Sequence, residues 1–94
     1  MHLIKASGIP ARRGQQYEGS SDSPDVIAGG ILSGVHIEVK RVQAGNLYNW
    51  LAQSKTDADI TKLAMVAHKR NGKQWVAIMD FSEFLVLMAR AVPQ

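Results

Sequence analysis

An α/β fold built on a mixed central sheet is what this chain predicts, on three observations. Residues 35–41 begin Val-His-Ile-Glu-Val-Lys, an apolar–polar alternation that matches the two-residue period of a strand. Residues 47–57 space Leu47, Trp50 and Leu51, with Ala58 just beyond, as a helix does. That helix lies between two strand-like runs, and such a crossover is what parallel neighbours require. Asn71-Gly72 separates two apolar runs, 63–68 and 74–79, and predicts an antiparallel hairpin with a two-residue type I′ turn. The full order then reads α-β-β-β-α-β-β-α.

Taken in order, residues 2–7 read as the closing turns of a helix, stopped by Gly8 in a left-handed conformation with Pro10 beyond it. Residues 11–16 form a first strand that carries Arg12 and Arg13. Residues 17–23 are polar, with one glycine and three serines, and predict a mobile loop. In that loop Glu18 and Asp22 read as solvated acids. Residues 25–28 and 35–41 are the second and third strands, joined by a hairpin-like turn containing Gly29, Gly30 and Gly34. In the helix over 47–57, Trp50 reads as core rather than as a stacking platform, and Gln53 as solvated. Asp80-Phe81-Ser82-Glu83 has the spacing of a capping box, and the helix that follows offers Phe84, Leu85, Leu87 and Met88 to the core.

Composition bounds the function. Ninety-four residues make one domain, 1–94, and 46% apolar with 20% charged residues is an ordinary globular balance. The chain has no cysteine, which excludes disulfides, thiolate zinc sites and cysteine nucleophiles. No histidine pair has a metal-ligand spacing, and no Walker loop, nucleophile elbow or dinucleotide fingerprint occurs. No apolar run reaches membrane-span length, and the start lacks the apolar segment of a signal peptide. The expectation is a cytoplasmic protein with no membrane partner. A net charge of +3 permits nucleic-acid binding without requiring it.

The chemistry lies in residues 23–41, SPDVIAGGILSGVHIEVKR. On a strand His36, Glu38 and Lys40 share one face at about 7 Å intervals, while Val35, Ile37 and Val39 share the other. An aspartate from a neighbouring strand would close a three-sided site. Glu38 beside Lys40 also reads as a surface ion pair worth less than about 1 kcal/mol. His36, one step up the face, reads as a cross-strand residue.

Pro24-Asp25 followed by Glu38-Val39-Lys40, with Ala11-Arg12-Arg13-Gly14 and Gly19-Ser20 upstream, resembles the PD-(D/E)xK nuclease superfamily. Within it the pattern looks like the small Holliday-junction-resolvase-like branch common in phages, over residues 9–87. The resemblance implies a restriction-endonuclease-like αβββαβ core with a further strand and helix. It implies a metal-dependent endonuclease that hydrolyses phosphodiester bonds of branched or duplex DNA as a homodimer, with no organic cofactor. A phage-encoded member would work in the host-cell cytoplasm. Asp25, Glu38 and the backbone carbonyl of Val39 would hold Mg²⁺ or Mn²⁺. Lys40 would orient the attacking water or stabilise developing charge, and Ser20 would approach the scissile phosphate. Arg12 and Arg13 read either as a solvated edge or as phosphate contacts. Lys69 and Arg70, with Lys73, read either as a solvated hairpin tip or as an extension of the DNA surface.

Relatives of this kind open with a full helix bearing a glutamate of the site. Nothing before Glu18 is acidic here, so the resemblance implies a helix without its front portion. An alternative function follows, a catalytically weak or inactive DNA-binding or interaction module on the same fold. A plainer structural domain predicts no metal binding at Asp25 and Glu38.

Overall fold

The computed structural model describes residues 2–14 and 26–92. Its elements follow the expected order: α1 (His2–Ala6), β1 (Ala11–Arg13), β2 (Val26–Ala28), β3 (Val35–Lys40), α2 (Leu47–Asp57), β4 (Leu63–His68), β5 (Val76–Ile78) and α3 (Phe81–Ala91). The strands form one mixed five-stranded sheet in the order β1-β2-β3-β4-β5. Only β3 and β4 run parallel, with Val35 opposite Leu63 through Lys40 opposite His68. The other neighbours are antiparallel. The fold class is thus α/β with a mixed central sheet flanked by helices.

The two faces of the sheet are covered differently. Val26, Ala28, Val35, Ile37, Ala67 and Leu87 form the buried core, with Ile4, Ile9, Met65 and Met79 packed against them. This places α1 and α3 on the Ile37 face. On the opposite face His36, Ala64, Val66 and His68 are buried. There α2 lies against β4, its buried residues being Leu51 and Ser54. Ser54 is fully buried and its hydroxyl donates to the Met65 carbonyl at 3.5 Å, a polar contact on a helix face that apolar spacing alone does not reveal. Trp50 is half-buried and Leu47 exposed. Asn46 caps α2, its side chain accepting from the Asn49 amide at 3.1 Å.

Local expectations depart from the structure at three places. The glycine turn between β2 and β3 is a 3₁₀ segment, Gly30–Gly34, entered through Gly30 at φ +59°. At the β4–β5 connection only Gly72 has positive φ, and a type I′ turn needs it at both central residues. The Lys73 amide instead closes on the Arg70 carbonyl at 3.1 Å, and pairing resumes only at His68 opposite Val76. The Asn71 amide donates to the Gln43 side chain at 3.3 Å, tying this loop to the one before α2.

The third departure is the start of α3. Asp80 makes no side-chain cap; its carboxylate accepts from Lys55 Nζ at 2.6 Å, while Glu83 accepts from the Ala64 amide at 3.1 Å. Both acids are taken by distant partners, so the capping box does not form. Of the four apolar residues expected inward only Leu87 is buried; Phe84, Leu85 and Met88 are exposed.

The Lys55–Asp80 pair has a pH signature. The hydrogen bond to Asp80, and then its charge, raise the Lys55 pKa above the ordinary lysine value. A raised folded-state pKa makes the contribution complete below the ordinary lysine pKa and lost as pH climbs through the folded value. The urea-midpoint gap between the parent and Lys55→Gln is therefore expected at pH 8 and should close as pH climbs past the ordinary lysine value and through the raised one. A gap that persists beyond it would discount the pair.

Candidate active site

The site begins with β3, whose burial changes along its length. Val35, His36 and Ile37 are buried, whereas Glu38, Val39 and Lys40 are intermediate. Two polar side chains on one face therefore sit where the strand emerges from the sheet's interior. The alternation read from sequence holds: Val35 and Ile37 enter the core while His36 lies on the opposite side.

His36 and Glu38 are joined. Nε2 of His36 lies 2.9 Å from Oε1 of Glu38, the histidine side chain 1% exposed and the glutamate 16%. An ionised carboxylate only accepts, so Nε2–H is the donor. The buried imidazole thus fixes one carboxylate oxygen from beneath. Sequence reasoning read His36 as a cross-strand residue; the signal for its role was its two-residue spacing from Glu38, which on a strand means the same face.

Other expected residues fall into three groups. Asp25 and Ser20 lie outside the described residues, with Glu18 and Asp22. Arg12 and Arg13 are exposed on the edge strand β1. Their register separates them: Arg12 pairs with Ile27 and Arg13 with Val26. Since Val26 is in the core, Arg12 is the one on the Glu38 face and Arg13 the one on the core side. Lys69 and Arg70 follow β4 directly, and the Lys69 amide donates to the Lys40 carbonyl at 2.9 Å. The loop cations are thereby held beside the end of β3.

His68, the Cα partner of Lys40, adds a feature the sequence did not single out. Its Nε2–H donates to the Val42 carbonyl at 2.9 Å, and its ring stands 4.7 Å from that of Trp50 at 55°. A Cβ on Gly45 would lie 2.1 Å from Trp50 Cζ2, so the indole rests on a backbone that only glycine allows. Gly45, Trp50, His68, Arg70, Lys73 and Val76 line a cleft of about 480 Å³. Gln53 is exposed and donates to the Asp57 carboxylate at 3.0 Å.

Among the described residues no three His, Cys, Asp or Glu side chains gather at a metal-binding distance. Glu38 and the Val39 carbonyl are hard oxygen donors, the type that Mg²⁺ and Mn²⁺ select, so the donor chemistry fits such an ion. None of the described helices is long and apolar enough to cross a membrane.

No protein-family profile matches the chain, and no curated protein matches it. Among solved structures it is similar to Hjc of Archaeoglobus fulgidus, a Holliday junction resolvase from an archaeal hyperthermophile. The two are 21% identical, with a TM-score of 0.49, over 83% of this chain and 69% of that one.

Proposed function

We propose that this chain is a metal-dependent endonuclease that hydrolyses phosphodiester bonds of branched or Holliday-junction-like DNA, of the phage resolvase type. The observation that carries the reading is β3, on whose emerging face Glu38 and Lys40 lie together. Asp25, Glu38 and the Val39 carbonyl would hold Mg²⁺ or Mn²⁺. Such an ion, when bound, supplies a more acidic water and charge relief on the phosphate. Lys40 places a positive charge on that face, where it would hold the attacking water or the developing oxyanion. Arg12, Lys69 and Arg70 would meet the flanking phosphates together with Ser20, whereas Arg13, on the core side of the edge strand, would meet DNA only around that edge. A two-fold homodimer would set two sites against opposed strands of a junction, and the exposed apolar residues of α3 suit a second copy.

The test is cleavage of labelled four-way junction, flap and linear duplex DNA with Mg²⁺ or Mn²⁺ against a chelator. Chelator-sensitive cutting with the junction ranked first is the expected result. DNA binding without cutting under either metal would replace the enzyme with a DNA-binding module.

His36 gives a second test. Its Nε2–H bond to Glu38 is the kind of support that fixes a ligating carboxylate, and removing such support typically weakens metal affinity or activity about 10–100-fold. His36→Phe is expected to weaken Mn²⁺ binding, followed by electron paramagnetic resonance of the metal alone, by that factor. His36→Gln keeps an N–H donor and should recover most of it. Equal affinities in the two variants would remove His36 from the site.

A further inference from the structure

We propose that the cleft beside β4 takes one unstacked nucleotide of the DNA strand, its base against Trp50 and its phosphate between Arg70 and Lys73. The inference rests on the reading of the chain as acting on DNA and names the feature of that DNA it holds. Three observations carry it. The floor is aromatic and held in place: the indole lies on Gly45 and beside the His68 ring, which the Val42 carbonyl anchors. Among the described residues lining the cleft two are cationic, Arg70 and Lys73, and none is acidic. Its volume of about 480 Å³ falls in the range of sites that enclose one small ligand, roughly 300–1,000 Å³, and so takes a single nucleotide rather than a paired helix.

Position links the cleft to the chemistry. His68 is the Cα partner of Lys40, and adjacent strands stand about 4.8 Å apart. Val76, which lines the cleft, is in turn the partner of His68. Residues directly opposite on neighbouring strands share a face, so the cleft opens on the Glu38–Lys40 side, one strand away. A phosphate held at Glu38 and Lys40 would leave the next nucleotide over the cleft. In a continuous duplex that base stays stacked and paired; at a branch point its stacking is interrupted and on a flap it is unpaired, so the unstacking penalty is smaller there. Flat aromatic floors accept any base face, so the cleft reads strand structure and not sequence.

The experiment is amide and indole NMR of the full chain without metal, titrated with a 5′-phosphorylated thymidine trinucleotide and with a fully paired hairpin. The trinucleotide is expected to shift the Trp50 indole and the amides of residues 68–73, and the hairpin to leave the indole unmoved. Arg70→Gln with Lys73→Gln should weaken the trinucleotide on the order of tenfold and flatten its salt dependence by about 0.7 per lost phosphate contact. Trp50→Ala should weaken it on the order of ten- to a hundredfold. Trp50→Phe, which keeps a ring and guards against loss of fold, should fall between. Shifts elsewhere, equal shifts with the hairpin, or no effect of the charge pair overturns the proposal. Metal-dependent cutting with a silent Trp50 would overturn the cleft and spare the nuclease reading. A Trp50 response with no cutting under any metal would do the reverse.

Discussion

Glu38→Gln is expected to lose DNA cleavage by roughly a thousandfold or more while the fold stays intact. This one side chain has two jobs. As an anion, Glu38 would supply a hard oxygen ligand, and such a metal contributes several kcal/mol to the transition state at about 1.4 kcal/mol per tenfold. As an acceptor, it holds the buried His36 Nε2–H at 2.9 Å. The glutamine amide keeps an acceptor oxygen but no charge, so the hydrogen bond survives and the ligand does not. Glu38→Ala removes both. It should cut no better, and it should also lose about 1–3 kcal/mol of stability because the imidazole N–H loses this partner. Cleavage rate, Mn²⁺ affinity and the urea midpoint measured on both variants distinguish the roles. DNA affinity should hold or rise in each, since a negative charge leaves a phosphate-facing surface. Should Glu38→Gln cut within tenfold of the parent, Glu38 is no ligand, and the metal of the reaction is held by other residues.

What the sequence made legible follows the range of the interactions involved. Strand β3 and its two faces were readable because alternation is set residue by residue, and the structure keeps Ile37 in the core with His36 opposite. The bounds of α2 and β4 were readable for the same reason. Features decided by distant partners were not. Asp80 and Glu83 have capping-box spacing, yet Lys55 and the Ala64 amide claim them from elsewhere in the chain. Asn71-Gly72 has the composition of a type I′ turn, but only Gly72 has positive φ. The amide of Asn71 reaches across to Gln43 instead of serving a tight hairpin. Helix α3 is apolar on more faces than the sheet can cover, so periodicity nominated four core residues where packing buries one. The His36–Glu38 contact was implicit in the spacing, but the burial of its histidine end was not. The aromatic floor at Trp50 needs Gly45, Trp50 and His68 together, from a loop, a helix and a strand, and no local pattern joins them.

Ile37→Ala should produce the opposite profile to Glu38→Gln: large loss of stability with chemistry intact per folded molecule. Ile37 is 1% exposed on the central strand, with Val26 and Met65 as its partners on either side. Truncating a buried isoleucine removes its transfer energy and leaves a cavity that close-packed neighbours fill only in part, together about 2–5 kcal/mol. Total stabilities of about 5–15 kcal/mol make that a large share, and a fall in Tm of roughly 10–30 °C is expected for a chain this short. Ile37→Val deletes one methyl and should lose about 0.5–1.5 kcal/mol. The catalytic prediction is sharper than the stability one. Glu38 is the next residue, but its side chain leaves the opposite face of the sheet, so a cavity beneath Ile37 does not remove its bond to His36. Cleavage by Ile37→Ala, measured well below its lowered Tm, should stay within tenfold of the parent. Loss of less than about 1 kcal/mol would mean that β3 does not stand at the centre of the core. Loss of cutting far beyond the loss of folded protein would mean that the two faces of the strand are not independent, and that the core itself sets the position of Glu38.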